Sequence, residues 1–123
     1  MIPKFRAWDK ETKTMNGMAE IYRNRNQEIE LHPRDENIIL MQSTGLKDYF
    51  GEELFEGDVI EWSYWDEFED SGTAKIIFDK GMFKLLDVRT EKSVWDNLFD
   101  CIENCNVFLQ GNIYENPELL EDK

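Results

Sequence analysis

One turn that feeds straight into an alternating strand limits this chain more than any other feature. Glu56-Gly57-Asp58 is a turn signal, and behind it Ile60, Trp62 and Tyr64 alternate with Glu61 and Ser63, the two-residue period of a strand with one buried face. Such a strand has to lay its apolar side on other strands, and a turn placed this way is how small barrels begin their central sheet. A chain of 123 residues buries very roughly two thirds of the surface its unfolded form exposes, which suits one core. With 41% hydrophobic and 13% aromatic residues, it is too apolar to stay disordered despite its charge.

The same alternation recurs along the chain. Lys4 to Trp8 predicts a short first strand, and Asn16-Gly17 predicts a two-residue reversal flanked by Met15 and Met18, because both residues tolerate positive φ. Met18 to Tyr22 and Glu28 to His32 read as strands, the latter with Ile29 and Leu31 on one face until Pro33 stops it, since proline cannot donate to a ladder. Ile38 to Met41 has the length of a buried strand, punctuated by Thr44-Gly45. Ala74, Ile76 and Phe78 share a strand face, Lys80-Gly81 predicts a tight hairpin, and Met82 to Val88 returns with Phe83 and Leu85 on one side. At Val94, Leu98 and Ile102 the spacing changes to four, which predicts a helix over Val94 to Glu103, capped by Ser93, with Cys101 and Cys105 near its buried side. Val107, Leu109 and Ile113 resume the period of two, and Gly111 among them marks a bulge or a close backbone approach. Asn116-Pro117-Glu118 has the order of a helix start, with Leu119 and Leu120 pinning its turn. No linker, repeat or low-complexity stretch divides the chain.

Charge and residue chemistry narrow the function. The chain carries 27 acidic and 14 basic side chains, a formal net charge of -13. Phosphate backbones and anionic bilayers are repelled by that balance, which argues against nucleic acid and membrane as partners. The start Met-Ile-Pro-Lys-Phe-Arg lacks the apolar core of a signal peptide, and no run of about eighteen apolar residues follows, so the cytoplasm is the expected compartment. Cys101, Cys105 and His32, which is distant and in a polar stretch, make neither a zinc site nor a Cys-His nucleophile, so the cysteines read as buried free thiols. No cofactor is expected.

The acid pairs Glu52-Glu53, Asp66-Glu67 and Glu69-Asp70 are neighbours that point apart in a strand or loop, a solvated face rather than a catalytic dyad. Asp66 to Gly72 only loosely imitates a calcium loop, and nucleophile elbows and phosphate-cradling glycine loops are missing. We therefore assign no catalytic and no metal residue and expect no enzyme. Between Asp48 and Ala74, ten carboxylates and seven aromatic rings share a segment without Lys or Arg. Ile60, Trp62 and Tyr64 belong to the core. Trp65, on the opposite strand face, and Phe68, among four acids, either cover a second small core or form part of an interface, where Trp, Tyr and Phe are favoured.

Three separated blocks carry a family resemblance. They are Lys4 to Asp9 with Met15 downstream; Met41 to Asp48 followed by Glu56-Gly57-Asp58-Val59-Ile60; and Gly111 to Leu120. In order and spacing the chain resembles the YopX family of bacteriophage and prophage proteins. That resemblance implies a mainly β fold: a small, SH3-like barrel with an N-terminal β extension and one or two short helices near the C-terminus. It implies a single domain over 1–123, with an N-terminal β portion at 1–42 and a barrel portion at 43–123, of phage or prophage origin and self-associating. It implies no reaction. Gly57, Asp58, Gly111, Asn116 and Pro117 are its structural turns. At Tyr49-Phe50 the chain departs from the family pattern, where polar turn residues are usual, so these rings join Trp65, Asp66, Glu67, Phe68, Glu69 and Asp70 as the candidate interface. The expected function is a non-enzymatic protein-binding module whose partner is itself, or a host or phage protein. The alternative is a nucleic-acid role, either single-strand binding on rings such as Trp8 and Trp62 or acidic mimicry of DNA.

Overall fold

The structure is a computed structural model that describes residues 4–19, 22–23, 29–30, 38–64 and 70–120. The chain divides into two units, Met1–Ser43 and Thr44–Lys123. In the first, β1 (Phe5–Asp9) lies between β2 (Thr14–Ala19) and β5 (Ile38–Lys47), antiparallel to both, so that Trp8 faces Met15 on one side and Ile39 on the other. A second, two-stranded pairing joins β3 (Tyr22–Arg23) to β4 (Ile29–Glu30). Leu31, His32 and Pro33 lie outside the described residues.

The reversal expected at Asn16-Gly17 sits earlier in the chain. Asp9 Oδ1 accepts the amides of Glu11 (2.9 Å) and Thr12 (3.3 Å), Lys13 takes a φ of 56°, and its amide returns to the Asp9 carbonyl at 2.8 Å. An aspartate that caps its own turn therefore outcompetes the Asn-Gly pair. Asn16-Gly17 falls inside β2, where the register slips: Phe5 faces Ala19 while Ala7 faces Asn16. Permissive residues serve here as a bulge.

In the second unit the fold is mainly β. β5 runs in from the first unit, and β6 (Glu53–Phe55), β7 (Asp58–Tyr64), β8 (Ser71–Asp79) and β9 (Met82–Asp87) follow. After them come β10 (Ser93–Trp95), helix α1 (Leu98–Asn104) and β11 (Cys105–Asn112), and a 3-10 turn spans Pro117–Leu120. Five strands in the order β10-β9-β8-β7-β11, all antiparallel, form a curled half-barrel. The opening stretch supplies an inner wall: β7 is flanked on both sides by β8 and β11, Ile60 is fully buried, and Trp62 is 8% exposed. Leu54, Ala74, Ile76, Leu85, Leu98, Cys101 and Val107 complete the core, each full-sized aliphatic among them contributing about 1.5–3 kcal/mol by leaving water.

The turn before β7 ties the wall together. Gly57, at a φ of 89°, donates its amide to Ile76 in β8 (2.9 Å) and accepts the Ile113 amide beyond β11 (2.9 Å). Asp58, 1% exposed, accepts the Phe55 amide at 2.7 Å. Lys80-Gly81 is the expected tight hairpin, with φ of 52° and 80°, the left-handed pair that a two-residue turn between twisted strands requires. Phe78, expected inward, is 43% exposed at the end of that hairpin, where its ring packs on Phe83 at 4.9 Å.

The helix expected over Val94 to Glu103 is shorter and starts later. Ser93–Trp95 pairs with β9 as a strand, and Val94 is 39% exposed, so it lies off the buried stripe. Asn97 caps α1 by accepting the Phe99 amide at 2.9 Å, while Ser93 donates to Asp96 instead. Leu98 and Cys101, one helical turn apart, supply its buried face.

Candidate functional site

The turn Asp48–Gly51 is built on the free edge of β11. Asp48 Oδ1 accepts the amides of Phe50 (3.0 Å) and Glu52 (2.8 Å), and its Oδ2 accepts the Leu109 amide at 3.0 Å. The Tyr49 amide donates to the Val107 carbonyl at 2.8 Å. Val107 and Leu109 are two residues apart, so their carbonyl and amide both project from the side of β11 that has no strand partner in its sheet. An unpaired edge is a template for unwanted pairing, and this turn closes it.

Closing the edge fixes two rings in water. Tyr49 is 65% and Phe50 74% exposed; they meet edge to face at 5.3 Å, and both lean on Phe108, at 5.3 and 5.7 Å. Phe108 pairs with Glu61 across the ladder, on the strand face opposite Val107 and Ile60. The result is a three-ring apolar patch on a backbone already immobilised by hydrogen bonds.

Of the other candidate interface residues, Trp65, Asp66, Glu67, Phe68 and Glu69 lie outside the described residues. Asp70 is exposed and accepts the Tyr64 amide through its carbonyl. β11 bulges between Leu109 and Gly111, and a Cβ on Gly111 would overlap the Asn116 carboxamide, which accepts the Asn112 amide at 3.2 Å. Asn112, 6% exposed, accepts the amides of Tyr114 and Glu115, and Pro117 opens the 3-10 turn.

Sequence reasoning missed a second aromatic group, on the concave face of the half-barrel. Trp62 faces Gly72 across the β7–β8 ladder, and a Cβ on Gly72 would come within 3.0 Å of the indole Nε1; glycine there gives the ring room to pack closely on β8. Trp95, expected in a helix, points to the same face from β10, beside Leu85. Trp62 meets Tyr64 at 5.8 Å and Trp95 at 6.0 Å, both edge to face, and Tyr64 meets Trp95 at 6.0 Å. The three rings border an open groove of about 420 Å³ that also touches Asp70 and Asp87. The Asp87 carboxyl is held below its ordinary value, chiefly because it accepts the Thr90 amide (2.8 Å) as well as that of Arg89 (3.0 Å). The buried indole N–H groups of Trp62 and Trp95 have no hydrogen-bond partner, a cost of about 1–3 kcal/mol each that phenylalanine would avoid.

Other chemistry is muted. Cys101 and Cys105 are buried thiols that form no disulfide; burial, reinforced by Cys105, pushes the Cys101 thiol far above its ordinary value, the reverse of what a nucleophile needs. Among the described residues, no three His, Cys, Asp or Glu side chains converge as metal ligands, and no helix is long and apolar enough to cross a membrane. Trp8 and Trp62, the rings considered for stacking on a single strand, are 7% and 8% exposed and offer bases no open face.

Comparison with known proteins places this geometry. A search of curated proteins finds no significant match. Among solved structures, the chain is similar to protein EF1440 from Enterococcus faecalis, at 30% identity and a TM-score of 0.63 over 98% of this chain and 99% of that one. It is also similar in fold to protein yopX from Bacillus subtilis, at 20% identity and a TM-score of 0.63, over 98% of this chain and all of the other. The family model described as YopX protein matches residues 4–121, and the chain belongs to the YopX family.

Proposed function

We propose that the chain is a non-enzymatic protein-binding module of phage or prophage origin that works in the host cytoplasm and associates with itself through Tyr49, Phe50 and Phe108. One observation carries the reading: two rings, 65% and 74% exposed, stand on a turn whose backbone is already fixed. Surface rings on an ordered backbone lose little further entropy when a partner covers them, which is the usual economy of an interface anchor. A second copy is the occupant that charge favours at this patch. Two chains of net charge -13 repel wherever their acids meet, so copies make contact through an apolar area, and added salt strengthens the contact by screening.

Light scattering over a concentration series tests this. The expected result is a mass that rises above the monomer's at micromolar concentration and rises further in salt. A clean monomer throughout overturns it. If that monomer also captures host DNA-binding proteins that added DNA displaces, acidic mimicry takes its place.

A further inference from the structure

We infer that the groove between Tyr64 and Trp95, floored by the buried Trp62, receives an arginine side chain of a partner protein. The inference rests on the protein-binding reading and names the partner's chemistry, but on a surface separate from the Tyr49–Phe50 patch. The groove combines two accessible electron-rich rings, Tyr64 and Trp95, with two aspartates, Asp70 and Asp87, over Trp62, which is 8% exposed. Aromatic faces attract cations, tryptophan most strongly. A planar guanidinium both stacks on rings and forms paired hydrogen bonds with carboxylates, which an ammonium does not do. Asp87 keeps its charge near neutrality because two backbone amides already stabilise the anion.

Three further observations point the same way. At Trp95 the unpartnered indole N–H, which a donor-only guanidinium does not satisfy, makes Trp a poorer choice than Phe for packing alone, whereas its larger ring is the better cation receptor. A Cβ on Gly72 would press on the Trp62 indole at 3.0 Å, so glycine there lets the ring pack closely on β8 beneath the groove. At about 420 Å³ the groove is near the lower end of ligand pockets and open to solvent, which suits a side chain projecting from a larger body. The acidic whole of the chain steers basic partners toward it.

The test is a titration of the intact chain with N-acetyl-arginine methylamide, followed by the NMR signals of the Trp62 and Trp95 indole N–H groups. The citrulline analogue serves as neutral isostere and the lysine analogue as the other cation. Arginine is expected to shift both signals saturably, with citrulline and lysine weaker by about tenfold and severalfold respectively. Trp95→Phe should weaken arginine about fivefold. Asp87→Asn, which keeps the oxygen that accepts the Arg89 and Thr90 amides, should weaken it about threefold, and Arg89→Gln, which removes a competing positive charge, should tighten it. Citrulline binding as well as arginine, lysine binding as well as arginine, or shifts indifferent to Trp95→Phe and Asp87→Asn would each overturn the proposal. Running the titration on Phe50→Ser as well separates this result from self-association, since that variant alters only the outer patch.

Discussion

Two groups of three rings sit on the same half-barrel and are treated in opposite ways. Tyr49, Phe50 and Phe108 lie outside, with Tyr49 and Phe50 mostly in water, on a turn that earns its stability from the Asp48 carboxylate rather than from the rings. Trp62, Tyr64 and Trp95 lie inside, with Trp62 buried against Gly72 and two indole donors unmatched. The outer rings add little to folding, and the inner rings fold the sheet but not in the way that packing alone would choose. Each group is therefore out of place for stability in its own way. On the proposed reading, association explains the exposed outer rings and the tryptophan at position 95, and salt separates the two contacts: screening should strengthen the acid-repelled outer one and weaken the proposed cation-binding groove.

The largest effect expected from breaking this contrast is at the inner group. Trp62→Ala should cost about 3–5 kcal/mol, as the loss of a buried aromatic does, measured by urea unfolding. Trp95→Phe should cost no more than about 1 kcal/mol, because the lost area is offset by the removal of an unpaired donor. A cost as large as that of Trp62→Ala would mean the indole is there for packing after all. Asp48→Ala comes next, at about 2–3 kcal/mol, since buried amides on β11 and in the turn lose a charged acceptor. It should also disorder the outer patch, visible as faster exchange of the Leu109 amide.

A smaller effect is expected at Asp87. Its folded value lies below the ordinary 3.8, so its stabilising contribution is present above that pH and is lost as the pH falls through the lower, folded value. Asp87→Asn should flatten that acid-side slope and lower the melting temperature slightly near neutrality, where the contribution is present, bringing the two proteins together in acid. A steeper slope in the variant would contradict the assignment.

Most of the architecture was legible because period-two alternation reports burial directly: Ile60, Ala74, Ile76, Leu85 and Val107 all face the core that the pattern assigns them. Gly111 and Lys80-Gly81 were legible because positive φ and close approach leave few residue choices. Local signals misled where two competed. Asp9 captured the first reversal from Asn16-Gly17, and Asn97 captured the helix start from Ser93, each through a side-chain oxygen on backbone amides. The outer patch was half legible, as Tyr49-Phe50 broke the turn pattern, but Phe108 joins it through long-range bonds from the turn to β11, such as Asp48–Leu109 across 61 residues of sequence. Trp95 was hidden because a strand of three residues is too short to show a period.

The central claim is that the outer rings are for association and not for folding. Sedimentation equilibrium of the native chain beside Tyr49→Ser, Phe50→Ser, with thermal melts of both, tests it most directly. The account expects the native chain to be an oligomer and the double variant a monomer, with stability changed by no more than about 0.5 kcal/mol, as for ordinary surface substitutions. Equal masses for the two proteins, or a variant that loses its association only by unfolding, would contradict it.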